Sequence, residues 1–180
     1  MASYGEIPRG IEDFKVDALT AADVPSGVKT DMPGIQTVSF NITSDSDEVK
    51  GDDVILATVR SAKKLEGQIG IARINLNALA IICGGTVTTG TPGTPTETQT
   101  LNETDAAPSL FFAGYALANS YDASGTAYFV TFKKLTVTSG PDESLAVDEF
   151  NSPTIDIEGT GVSGVILTRQ LQKQKTAIPA

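Results

Sequence analysis

The chain has 180 residues, enough for one domain with a real core, and 40% of them are hydrophobic, which excludes a disordered chain. Asp and Glu number 22 against 13 Lys and Arg, and the resulting formal charge of −9 argues against DNA binding through a basic patch. With no His and one Cys, the chain has neither an imidazole for acid–base work nor an intramolecular disulfide, and no run of about 18 apolar residues could span a membrane.

The first residues, MASYGEIPRG, lack the apolar stretch of a secretion signal. Residues 1–12 carry Gly5, Pro8 and Gly10 without periodicity and read as an N-terminal arm, with Ile7 and Ile11 as candidate anchors. Phe14–Leu19 follows as a short strand. Thr20–Gly34 holds Pro25, Gly27, Pro33 and Gly34, and a loop of that length is usually functional or flexible. Ile35–Thr43 alternates, with Val38, Phe40 and Ile42 on one face and Thr37, Ser39, Asn41 and Thr43 on the other. Ser44–Asp53 gathers Asp45, Asp47, Glu48, Asp52 and Asp53. Carboxylates so spaced can share a calcium ion, but the Gly and closing Glu of an EF-hand are missing, so a solvated acidic turn is expected.

Asp53–Ala62 and Leu65–Arg73 alternate again, through Ile55, Ala57 and Val59 and through Leu65, Ile69 and Ile71. With Lys63 and Lys64 as a polar turn they predict an antiparallel hairpin, although no Asn-Gly or Asp-Gly fixes the turn type. After Arg73 the period changes. Asn75 suits an N-cap, Leu76, Leu79, Ile82 and Cys83 fall at helical spacing, and Gly84-Gly85 offers a stop, which predicts a helix over 76–83. Two turns are not stable alone in water, and with Ile81 on a further face this helix needs cover both from its own sheet and from a loop or neighbouring subunit. Cys83 reads as an inert buried thiol.

Thr86–Thr104, with Gly90, Pro92, Gly93 and Pro95, reads as an irregular connection, with room for a polar strand at 96–100. The Gly90–Gly93 segment lacks the Lys of a phosphate loop and precedes no helix. Leu110–Ala118 and Ala127–Val137 are aromatic strands joined by turn residues 119–125, a second hairpin. Tyr128, Val130 and Phe132 share one parity and Leu135 and Val137 the other, so a bulge is expected at Lys133-Lys134. These aromatics read as core. Gly140–Ser152 is acidic, and Thr154–Glu158 and Val162–Arg169 are expected as the last strands. Asp156 and Glu158 share a face, a spacing open to acid–base chemistry, but nothing beside them completes a catalytic set, so a charged solvent face is expected. Gln170–Ala180, basic at Lys173 and Lys175, reads as a second arm. Many strands and one short helix predict a mainly β domain over 13–169, an antiparallel sandwich or partly rolled barrel.

Residues 50–85 carry a more specific pattern: Gly51-Asp52-Asp53, an alternating strand with Ala57-Thr58, a Lys-rich turn, Lys64 three residues before Gly67, then Ile74, Leu76, Ala78, Leu79, Ala80 and Gly84-Gly85. This resembles the major tail tube proteins of long-tailed (siphovirus-type) bacteriophages. The resemblance implies hexameric rings whose inner sheets join into one barrel, stacked into a tube around a tape-measure protein and later conducting DNA without specific binding. It implies tail tip and tail terminator partners, a place in the virion tail after assembly in the host cytoplasm, and no cofactor, metal or catalytic residue. By matching, Leu76, Leu79, Ile82 and Cys83 form a helix bracing the sheet near the subunit contact, and the 20–34 loop and the arms reach the adjacent ring. Under the same implication, Glu66, Gln68, Asp156 and Glu158 are candidate lumen residues. Two other readings stand beside it: the inner tube of a contractile tail or injection machine, and a carbohydrate- or receptor-binding β-sandwich. An enzyme using Asp148, Asp156 or Glu158 is a remote third.

Overall fold

Phe14, Phe112, Phe132, Leu65, Ile69, Ile155 and Ile157 are fully withdrawn from solvent, and the strands that carry them decide the architecture. Each such side chain contributes about 1.5–3 kcal/mol relative to exposure. The computed structural model describes residues 8–44, 46–51, 54–103, 111–120, 126–144 and 152–179. Its strands are β1 (Pro8–Ala18), β2 (Thr30–Asp31), β3 (Ile35–Thr43), β4 (Ser46–Gly51), β5 (Val54–Arg60), β6 (Lys64–Ile71), β7 (Thr86–Gly90), β8 (Thr98–Asn102), β9 (Phe112–Ser120), β10 (Ala127–Asp142), β11 (Thr154–Thr160) and β12 (Leu167–Gln172). One helix, α1 (Leu76–Ile82), follows β6. The fold is mainly β with antiparallel sheets and one short helix, as the periodicities predict.

The main sheet runs β2-β1-β9-β10-β11-β6-β3, and it curls so that β3 at one end packs against β1 near the other. β10 is the hinge of this arrangement. β9 follows one edge, while on the other β12 pairs with residues 127–132 and β11 takes over from Lys134 onward. The β9 register slips between Phe132 and Leu135, at the expected phase change around Lys133-Lys134. Inside the curl Phe40 meets Phe132 edge to face, with ring centroids 5.0 Å apart. Glycine at 114 eases this packing, because a Cβ there would sit a tight 3.1–3.2 Å from Phe14, Leu135 and Phe132 together.

The expected hairpin of 53–62 with 65–73 does not form. β6 lies between β3 and β11, and β5 pairs with β4 in a separate two-stranded ribbon. The register explains the choice: Val38 faces Ile69 and Ile42 faces Leu65, so β3 and β6 turn their apolar residues to one core, and Gly67 opposite Phe40 leaves room that a Cβ would take from the Ser39 carbonyl. The expected acidic turn is therefore the strand β4, with Asp45, Asp52 and Asp53 outside the described residues.

The irregular 86–104 connection is a hairpin of β7 and β8. Val162–Val165 is a tight turn, not a strand, and β12 begins at Leu167. The described parts of the two expected arms are ordered against the sheet. β1 already starts at Pro8, and after Gln172 the C-terminal segment folds back across the sheet, where Ile178 is buried against Leu117 and Ala127. Lys15 Nζ donates to the Ile178 carbonyl at 3.1 Å, and Lys175 bonds Glu12 and Asn119. Residues 1–7, much of the second half of the 140–152 stretch including Asp148, and Leu110 lie outside the described residues.

Candidate functional site: a polar sheet face and its supports

Alternation along β3, β6 and β11 sends every second side chain away from the core. Thr37, Ser39, Asn41 and Thr43 on β3, and Lys64, Glu66 and Gln68 on β6, are exposed. Asp156 on β11 is exposed and Glu158 partly so. Antiparallel pairing sets Glu66 opposite Glu158 and Gln68 opposite Asp156. The four residues named from sequence thus stand as two cross-strand pairs on one face.

The pairs are electrostatically resolved in different ways. Gln68 Nε2 donates to Asp156 Oδ1 at 3.0 Å. Two facing glutamates would repel, but Lys64 Nζ lies 2.6 Å from Glu158 and 3.2 Å from Glu66. Hydrogen bonds to Glu158 first and Glu66 second push the Lys64 pKa above its ordinary 10.5, so the ammonium stays charged at any physiological pH. On this face three carboxylates outnumber one ammonium, and that ammonium is already paired. No group of three or more His, Cys, Asp or Glu among the described residues could hold a metal ion.

The helix stands elsewhere. Asn75 caps it twice over: Oδ1 accepts from Asn77 N at 3.1 Å, and Nδ2 donates to the Asp31 carbonyl at 2.8 Å, tying the cap to β2. Ala78, Leu79 and Ile82 are buried, while Leu76 and Cys83 are half-buried. Its main contacts are with β1, β2, β7 and β8, so the structure does not bring this helix onto the strands of the polar face. Gly84 and Gly85 stop it with φ of 86° and 112°, and a Cβ at Gly85 would come within 2.5 Å of the Asn102 carbonyl oxygen. Burial, then the charge of Glu103, pushes the Cys83 thiol up to about 11, so it is protonated and a poor nucleophile at neutral pH.

Asp17 is a support that the sequence pattern did not reveal. Its carboxylate is fully buried, and it accepts from Ser26 N at 3.0 Å, Ser26 Oγ at 2.6 Å and Gly27 N at 3.1 Å, which fastens the β1–β2 loop to the sheet. The available signal was an acidic residue beside Val16 in an apolar strand, nine residues before a Ser-Gly pair. Of the strand aromatics expected in the core, Phe112 and Phe132 are buried, while Phe111, Tyr115, Tyr128 and Phe129 are only partly so.

No protein-family model matches the sequence, and no curated protein is similar to it.

Proposed function

We propose that the protein is a structural subunit that self-assembles into stacked hexameric rings, forming the tail tube of a long-tailed bacteriophage around a tape-measure protein. The observation that carries this reading is the polar face of β3, β6 and β11, which runs out to the outer edge of β3. Nine residues long, that edge has no hydrogen-bonded strand partner among the described residues, although the curl of the sheet brings β1 near it. Unpaired edges invite another strand, and a second copy added there would continue the same polar face into a wider wall. The tail tube pattern over residues 50–85 supplies the ring and the tube.

In this role the face lines the channel. DNA carries one charge per ~1.7 Å, so a wall with free ammonium groups would hold it and slow its passage. Here Lys64 is occupied by Glu66 and Glu158, and Gln68 and Asp156 satisfy each other. The wall therefore passes DNA without gripping it. Tail tip and terminator proteins cap the two ends, and the site of action is the virion tail.

The test is to mix assembled protein with short duplex DNA at physiological salt and follow co-sedimentation. The expected result is no DNA in the pellet above the level of a protein-free control. Tight, salt-sensitive retention would contradict the conduit.

A further inference from the structure

Three non-glycine residues among those described adopt left-handed backbone: Asp23 with φ 58°, Thr91 with φ 45° and Ser163 with φ 51°. Strain of this kind persists only where the surroundings over-determine it, and it clusters at sites that bind. Asp23 and Ser163 stand on the two walls of one groove of about 350 Å³, whose floor is Ala113 and Tyr115 of β9 with Thr131 and Lys133 of β10. Thr91 is at the tip of the β7–β8 hairpin. The strained residues thus mark one groove and one protrusion.

Both parts are pre-shaped. Thr20 N donates to the Val24 carbonyl and Asp23 N to the Thr20 carbonyl, each at 2.9 Å, and Lys134 holds Asp23 at 2.7 Å. Val162 and Val165 exchange two backbone bonds of 3.0 Å across the other wall. These rigid rims leave Val24 55% and Val165 44% exposed, an apolar lip that water does not favour. The hairpin tip is fixed as firmly. Gly93 N donates to Glu97 Oε2 at 2.7 Å, Thr91 Oγ1 to the Thr96 carbonyl at 2.9 Å, and Thr94 Oγ1 to the Thr91 carbonyl at 2.8 Å. A protruding tip ordered in advance loses little entropy when it docks.

We propose that the β7–β8 tip of one copy seats in this groove of a second copy. Pro92 and Pro95 supply apolar surface for the Val24 and Val165 lip, and the Glu97 carboxylate meets the Lys133 ammonium on the floor, which has no ion-pair partner among the described residues. Because tip and groove are different surfaces, the contact is heterologous, and repetition gives a closed ring or an open fibre instead of a two-fold dimer. The identity of the occupant as a second copy rests on the assembly reading; the pairing itself uses a different part of the molecule from the polar face.

A double-mutant cycle tests it. Glu97→Gln keeps a side-chain oxygen for Gly93 N, so the tip stays closed while its charge is lost. Lys133→Met and Glu97→Gln, each alone, should raise the concentration needed for self-association about tenfold in sedimentation velocity, and the chain carrying both should be no weaker than either. Single changes without effect, or losses that simply add in the double variant, would overturn the contact. Tubes that form regardless of either change would remove this contact and leave the tube reading standing. Coupled losses in a species that is neither ring nor tube would do the opposite. A wild-type chain that stays monomeric throughout would overturn both.

Discussion

Asp13 and Asp17 lie on the same strand and have opposite fates. Asp17 is fully buried and satisfied by three donors. Asp13 is raised above its ordinary 3.8, first by burial, then by its hydrogen bond with Asp31 and by the charge of Asp31, while Lys15 and the Phe14 backbone pull the other way. A carboxyl with a higher pKa folded than unfolded binds its proton more tightly in the folded chain. Stability therefore falls as pH rises from 3.8 through the folded value, and the loss is complete above it. Asp13→Asn should raise Tm at pH 7, with the advantage shrinking on acidification and vanishing below about 3.8. Thermal melts across that range check this, and a pH-independent difference would point to another cause. Lys64 has the opposite sign: its partners favour the charged form, and that contribution is lost only as pH climbs beyond 10.5.

At the level of elements, α1 is held by its packing, since seven residues cannot sustain a helix in water. Leu79→Ala should cost about 2–5 kcal/mol, and Ile82→Asp more, because it buries a carboxylate with no partner. Chemical denaturation of both variants decides this, and an Ile82→Asp midpoint equal to wild type would mean the helix is not part of the core. The helix and its cap were legible because the shift from period 2 to period 3.6 after Arg73 is abrupt. The bulge near Lys133 was legible because a change of parity needs an extra residue. Of the strand partners, the β9–β10 hairpin was legible from its aromatic runs, but those of β3, β5 and β6 were not: the three share the same alternation, and pairing was settled by a register that puts Gly67 opposite Phe40. Of the β7–β8 hairpin only a possible polar strand at 96–100 was legible, overlapping β8, because threonine alternating with polar residues gives no apolar contrast. Ile178 did too, since one isoleucine in a polar tail has no period, yet it closes a cluster on Leu117 and Ala127. For the polar face, parity alone placed Asp156 beside Glu158. That Lys64 joins Glu66 to Glu158 depends on the β6–β11 register, which sequence did not supply.

For the whole molecule, three features act together: the −9 charge, a polar face on which the one ammonium is paired, and a long unpaired strand edge. The first disfavours casual association with nucleic acid, and the last favours association with copies of itself. Tail tubes are normally nucleated, so dilute monomer would be compatible with the proposed assembly. The most direct measurement is negative-stain electron microscopy of the concentrated protein, with sedimentation on the same sample. Six-fold rings or tubes with an open channel are the predicted result; a strictly monomeric species up to about millimolar concentration, with neither rings nor tubes on the grid, would contradict it.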